Sequence, residues 1–180
     1  MVHTKESDED NIIVALEHPD RVRNVQLTVS CSLLEKLATV MREPFPVLTD
    51  LFLELGIRLE SQNERTPVLP DAFLGECTPR LQKIRLIRIP FPAAPVLLSS
   101  ARDLVDVDLR DIPNTGYISP EEMVASLATL PRLECLTVQF QLGAPYVDQI
   151  RVPPITRTAL PSLTTFFNGF SKYFEYLWRR

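Results

Sequence analysis

Leu81-Gln-Lys-Ile-Arg-Leu86, Leu104-Val-Asp-Val-Asp-Leu109 and Leu133-Glu-Cys-Leu-Thr-Val138 share one spacing, with apolar residues at the first, fourth and sixth positions. Val22-Val25-Leu27 and Leu48-Leu51-Leu53 repeat it upstream. Leu163 and Phe166 begin a sixth, degraded copy in which Asn168 takes the last apolar place. The first residues of the copies lie 26, 33, 23, 29 and 30 positions apart, a mean of about 28. Within each copy the last two apolar residues are two apart, so they share one face of a strand. None of the 16 prolines falls inside a copy, as a strand interior requires. The inward set therefore includes Leu51, Leu53, Ile84, Leu86, Val107, Leu109, Leu136 and Val138.

Strand motifs recurring at this period are the sequence form of a leucine-rich repeat. The predicted fold class is α/β: a leucine-rich-repeat solenoid, with a curved parallel sheet and with helices and irregular segments on the convex side. We expect one domain over residues 1–180. It holds an N-terminal helix at 8–17, about five complete repeats at 20–161, and a degraded sixth repeat with an aromatic cap at 162–180. Phe166, Phe167, Phe170, Tyr173, Phe174, Tyr176 and Trp178 make that cap, which covers the open end of a solenoid core.

The connections carry local signals. Asp8 or Asp10 is expected to cap the first helix, whose apolar face is Ile12, Ile13 and Leu16. Ser32-Leu-Leu-Glu35 matches a capping box, and Leu33, Leu34, Leu37, Val40 and Met41 line the helix that follows. Ser119-Pro-Glu-Glu122 places serine at N-cap, proline at N1 and glutamate at N3, a second and stronger start. Arg58 to Thr66 reads as an exposed loop, and Pro70 to Leu74 as a short helical turn before Gly75. Pro90, Pro92 and Pro95 leave little room for regular structure before Val96-Leu97-Leu98, and Pro153-Pro154 argues against a helix early in the Val147–Leu160 return. Proline stands two residues before the first motif residue at Pro46, Pro79, Pro131 and Pro161, where an extended approach into the strand is expected.

The composition is ordinary for a globular protein, with 45% hydrophobic and 23% charged residues and a net charge of −4. No basic patch or stacking platform points to nucleic acid. No apolar run reaches the ~20 residues of a membrane span. Cys31, Cys77 and Cys135 are odd in number and widely spaced, which fits a reducing compartment and offers no zinc-type spacing. The expected location is intracellular, cytoplasmic or nuclear. No motif implies a cofactor or a metal, and with no nucleophile elbow or phosphate loop the expectation is no enzyme.

The strand motif, the Pro-x-Leu approach and the variable repeat length resemble the leucine-rich-repeat regions of fungal F-box-like proteins. Stretches such as Leu16-Glu-His-Pro-Asp-Arg-Val22, Pro44-Phe-Pro-Val-Leu48 and Asp111-Ile-Pro-Asn-Thr-Gly-Tyr-Ile-Ser-Pro120 look like those of large basidiomycete families, as does Val152-Pro-Pro-Ile-Thr-Arg-Thr158. The resemblance covers roughly residues 8–177. It implies substrate recognition for an F-box-type ubiquitin ligase. About twenty residues precede the first strand and hold no F-box, so the ligase adaptor is not expected to bind this chain directly. Eight positions after each motif start, the family's usual Asn or Cys is Ser30, Gly56, Ile89, Ile112 or Gln141 here. No asparagine ladder is expected at those turns. The alternative is a truncated or vestigial scaffold with no ligase linkage. A carboxylate-dependent hydrolase ranks last.

Residues between the inward positions face the concave side. Asp50, Lys83 and Asp106 then form one row across neighbouring strands, and Phe52, Arg85 and Asp108 the next, with strands about 4.8 Å apart. With Arg110 these make the candidate protein-binding face. Phe52 and the arginines are its expected anchors, since aromatics and arginine are enriched in binding hot spots. Lys83 and Arg85 are expected to hold Asp106 and Asp108 ionised and occupied, which argues against paired-carboxylate catalysis. The partner is a protein of unknown identity.

Overall fold

The computed structural model describes residues 6–56, 67–141 and 164–168. The chain is α/β. Six strands form one parallel sheet in strict chain order: β1 (Asn24–Val29), β2 (Asp50–Leu55), β3 (Lys83–Ile87), β4 (Asp106–Ile112), β5 (Cys135–Phe140) and β6 (Thr165–Asn168). Each of the six motif copies supplies one strand. The register is the one the motif dictates: Val25, Leu51, Ile84, Val107, Leu136 and Phe166 align across the sheet. All eight inward residues named above are buried. On the edge strand β1, Leu27 is only partly covered. Asn168 pairs with Val138, so the degraded copy keeps its register.

Four helices are described: α1 (Glu6–Leu16), α2 (Cys31–Val40), α3 (Ala94–Ser100) and α4 (Pro120–Leu127). The last three bury Leu33, Leu34 and Leu37, then Ala94, Leu97 and Leu98, then Met123, Val124 and Leu127, in one core with the inward strand residues. Helix α1 contacts α2, and its Leu16, Ile12 and Ile13 join the same core. The ends of the helices depart from expectation in three places. Helix α1 begins at Glu6, so neither Asp8 nor Asp10 caps it. Ser30 caps α2, its Oγ accepting the Leu33 N–H at 3.1 Å. Ser32 lies within the first turn, its Oγ 2.9 Å from that of Ser30. Helix α3 forms despite its prolines, because Pro95 stands in the first turn, where its missing N–H is needed by no one. Ser119 and Glu122 close the capping box of α4 as the sequence indicates.

The Pro-x-Leu approach is a tight turn and not an extended segment. The N–H groups of Leu48, Leu81 and Leu133 bond the carbonyls of Phe45, Thr78 and Leu130, at 3.3, 3.1 and 3.4 Å. This puts Pro46, Pro79 and Pro131 at the second position of a four-residue turn, the place a fixed φ near −65° favours. Leu104 closes the same turn on Ala101 without a proline. Phe45, Ala101 and Leu130 are buried apolar turn starts, and Thr78 is the odd one. Its buried Oγ1 has no hydrogen-bond partner among the described residues. Just after each turn, one carbonyl accepts two N–H groups from the next repeat. Arg23, Thr49, Gln82 and Val105 each do so, at 2.8–3.2 Å.

Strand ends differ between repeats. Val29, Leu55 and Phe140 are buried seven positions after their motif starts. In the third and fourth repeats that position holds Arg88 and Asp111, both left-handed, with φ of 61° and 51°. The buried residue comes one later, as Ile89 and Ile112. In β4 this is a register shift that sets Ile112 beside Phe140, the behaviour of a β-bulge. With no asparagine at these turns, backbone N–H groups do the bonding. Gly56 donates to Val29 and Gln141 to Ile112, each at 2.9 Å. The expected loop at 58–66, the Val147–Leu160 return, Pro161 and the aromatic cap lie outside the described residues, apart from the β6 backbone.

Candidate binding face

Alternation leaves one side of the sheet without a covering layer of described residues. The strands present Asn24, Asp50, Lys83, Asp106 and Cys135 in one row, and Gln26, Phe52, Arg85, Asp108 and Thr137 in the next. The third row runs Thr28, Glu54, Ile87 and Arg110. All seven sequence-selected residues, Asp50, Phe52, Lys83, Arg85, Asp106, Asp108 and Arg110, stand in the rows expected.

The pairing within those rows is more selective than register alone. Arg85 Nε lies 2.8 Å from Asp108 Oδ2, and Arg110 Nε lies 2.7 Å from Asp108 Oδ1. Asp108 is buried, with a side chain only 4% exposed, while both arginines are about half exposed at 48% and 49%. One carboxylate thus spends both oxygens on two guanidiniums. The Arg85 guanidinium carbon also sits 5.6 Å from the centre of the Phe52 ring, within cation–π range. Phe52, Arg85, Asp108 and Arg110 form one continuous cluster over three strands. The expectation that Lys83 and Arg85 both occupy the acids holds for Arg85 alone. Lys83 is beside Asp106 in register, but no ion pair closes between them among the described residues.

Arg88 belongs to this face and was not selected from the sequence. Its left-handed backbone turns the side chain back along β2. There Nε donates to the Leu55 carbonyl at 2.8 Å and Nη2 meets Glu54 Oε1 at 2.6 Å. The signal was present: Arg88 is a charged residue at a repeat position that is apolar in Val29, Leu55 and Phe140.

Asp106 is the strained acid of the face. Burial pushes its carboxyl up from the ordinary carboxylate range. Arg85 pulls it down, the charge of Asp108 raises it, and Lys83 and Arg110 lower it, with burial prevailing. The native state therefore holds this proton more tightly than the unfolded chain does. Its contribution favours folding below the unfolded value, about pH 4, and is lost as pH rises through the folded one. Asp106→Asn is expected to raise stability over wild type at pH 7, with the gap closing near pH 4. Urea midpoints at the two pH values measure this. A gap of the same size at both would show that Asp106 ionises freely.

Chemically, the face can offer hydrogen-bond donors and an aromatic edge. Asp106 and Asp108 are not a free carboxylate pair, because both oxygens of Asp108 are engaged by arginines. Among the described residues no three of His, Cys, Asp and Glu gather in a way that could hold a metal ion. Among them, too, no helix is long and apolar enough to cross a membrane. No family model, no curated protein and no solved structure matches this chain.

Proposed function

We propose that this chain is a leucine-rich-repeat solenoid that binds a protein through its open, concave face and does no chemistry of its own. The observation that carries the reading is the Phe52–Arg85–Asp108–Arg110 cluster, held in place on three adjacent strands. A planar aromatic and two arginines fixed before binding lose little freedom on association. They are also the residue types that anchor interfaces. Strands in chain order and a bonding pattern repeated from one repeat to the next support the repeat architecture. Asp108, shared between two arginines, speaks against a hydrolase.

The role we infer is substrate recognition for an F-box-type ubiquitin ligase, a link that rests on the resemblance of the motifs. A structural scaffold without ligase linkage is the second reading. It is favoured by the pairing of Arg85 and Arg110 with the buried Asp108, an arrangement that a purely structural cluster would also show.

Phe52→Ala combined with Lys83→Ala tests the binding reading without leaving Asp108 unpaired. Affinity capture from native cell extract is expected to retain a protein on wild type and to lose it at least tenfold on the double variant, with folding intact. A captured protein whose ubiquitination falls when the chain is removed supports the ligase role, and unchanged ubiquitination supports the scaffold. Capture undiminished by the double substitution would remove the face from function.

A further inference from the structure

We propose that Arg85 and Arg110 form a two-guanidinium seat for the side-chain carboxylates of an acidic segment in the partner protein. This rests on the protein-binding reading and adds the chemistry of what is bound. Arg110 donates its Nε–H to Asp108, and Arg85 is ion-paired to the same carboxylate through Nε at 2.8 Å. A guanidinium has five N–H donors, so each keeps four on its terminal nitrogens. None of these has a partner among the described residues, and both side chains are about half exposed. With Nε of each lying 2.7–2.8 Å from the same buried carboxylate, the two guanidiniums are brought together. The Phe52 ring centre lies 5.6 Å from the Arg85 guanidinium carbon, on the same face.

Charge complementarity names the occupant. Two guanidiniums share one carboxylate, which leaves net positive charge at the seat. Glu54 is engaged by Arg88, and Asp50 accepts a hydrogen bond from Thr49 Oγ1 at 2.7 Å. Asp50 and Asp106 border the seat in the first row, which directs an anion toward Arg110 and the half-buried Ile87 beside it. The chain as a whole carries −4, so a long polyanion meets repulsion beyond the seat, whereas a short acidic segment is met only by the local donors. Planar carboxylates match the terminal edge of a guanidinium in a bidentate fashion.

The probe is a blocked peptide of alternating glutamate and alanine, titrated into the isotope-labelled full chain. Its glutamine and phosphoserine counterparts serve as comparisons. The glutamate peptide is expected to shift the Arg85 and Arg110 side-chain resonances saturably, and the glutamine peptide to bind at least tenfold more weakly. Arg85→Lys with Arg110→Lys keeps a cation near Asp108 but removes the free guanidinium edge. This variant is expected to keep the wild-type denaturant midpoint and to lose at least tenfold in affinity. Equal binding of the glutamine peptide, binding of the phosphoserine peptide alone, or affinity unchanged in the lysine variant would overturn the seat. Should that variant unfold, the wild-type resonances decide: shifts confined to other arginines overturn the proposal. The capture experiment is independent. Capture lost with Phe52→Ala and Lys83→Ala, but no glutamate-peptide binding, overturns the seat and leaves the binding face standing. Capture retained overturns the face itself.

Discussion

Leu86→Ala is expected to lower the unfolding free energy by about 2–5 kcal/mol, the range for removing a buried leucine and leaving a cavity. Leu86 is 1% exposed on β3. It lies between Leu53 on β2 and Leu109 on β4 in the parallel register. Both neighbours are held by their own strands, so collapse into the vacated space would require moving a ladder. The upper half of the range is therefore expected. A denaturant titration measures it, and an unchanged midpoint would mean that this row is not the core.

Gly75→Ala is expected to cost about 2–4 kcal/mol, from backbone strain plus overpacking. Leu74, Gly75 and Glu76 run left-handed in succession, with φ of 59°, 60° and 57°. The turn closes the core in the long second repeat without a full helix. Leu74 is completely buried, and its N–H bonds the Met41 carbonyl at 2.6 Å. A Cβ on Gly75 would stand 2.6 Å from the Pro44 nitrogen and 2.7 Å from its ring carbons. An alanine thus meets the left-handed region, which an L residue adopts at a cost, and a rigid proline together. Glu76→Ala serves as the comparison, since it adds no Cβ and leaves φ unchanged. If Gly75→Ala and Glu76→Ala show equal thermal midpoints, the turn is not held by this contact.

The strands were legible because a parallel repeat has few ways to be wrong. The apolar residues of each copy must share a face, and a slip of one residue would turn every one of them outward. The helix starts were legible where the signal was redundant. At Ser119 a serine, a proline and a glutamate agree, and the cap forms there. At Ser32 the pattern was complete, yet Ser30 two residues earlier took the cap, because Val29 ends the strand and Leu33 must already be buried. The prolines misled by number: three close together read as a barrier, whereas position decides, and Pro95 begins α3. The same holds for Pro46, Pro79 and Pro131, whose fixed φ serves a turn.

By itself, then, the sequence determined the α/β class, the order and register of the strands, the inward set and the rows of the open face. These follow from a side-chain period of two and a motif that repeats, which are properties of each segment alone. Only the tertiary structure decided that Arg85, and not Lys83, closes on its acid, and that Asp108 is buried beneath two arginines. It alone decided that Arg88 turns back onto Glu54, and that Leu74 to Glu76 adopt a left-handed turn. Each of these depends on what a neighbouring repeat places within about 3 Å. A row of charges fixes who stands beside whom. Burial, bulges and the direction of each backbone fix which pair closes, because a charge removed from water must find its partner through space and not along the chain.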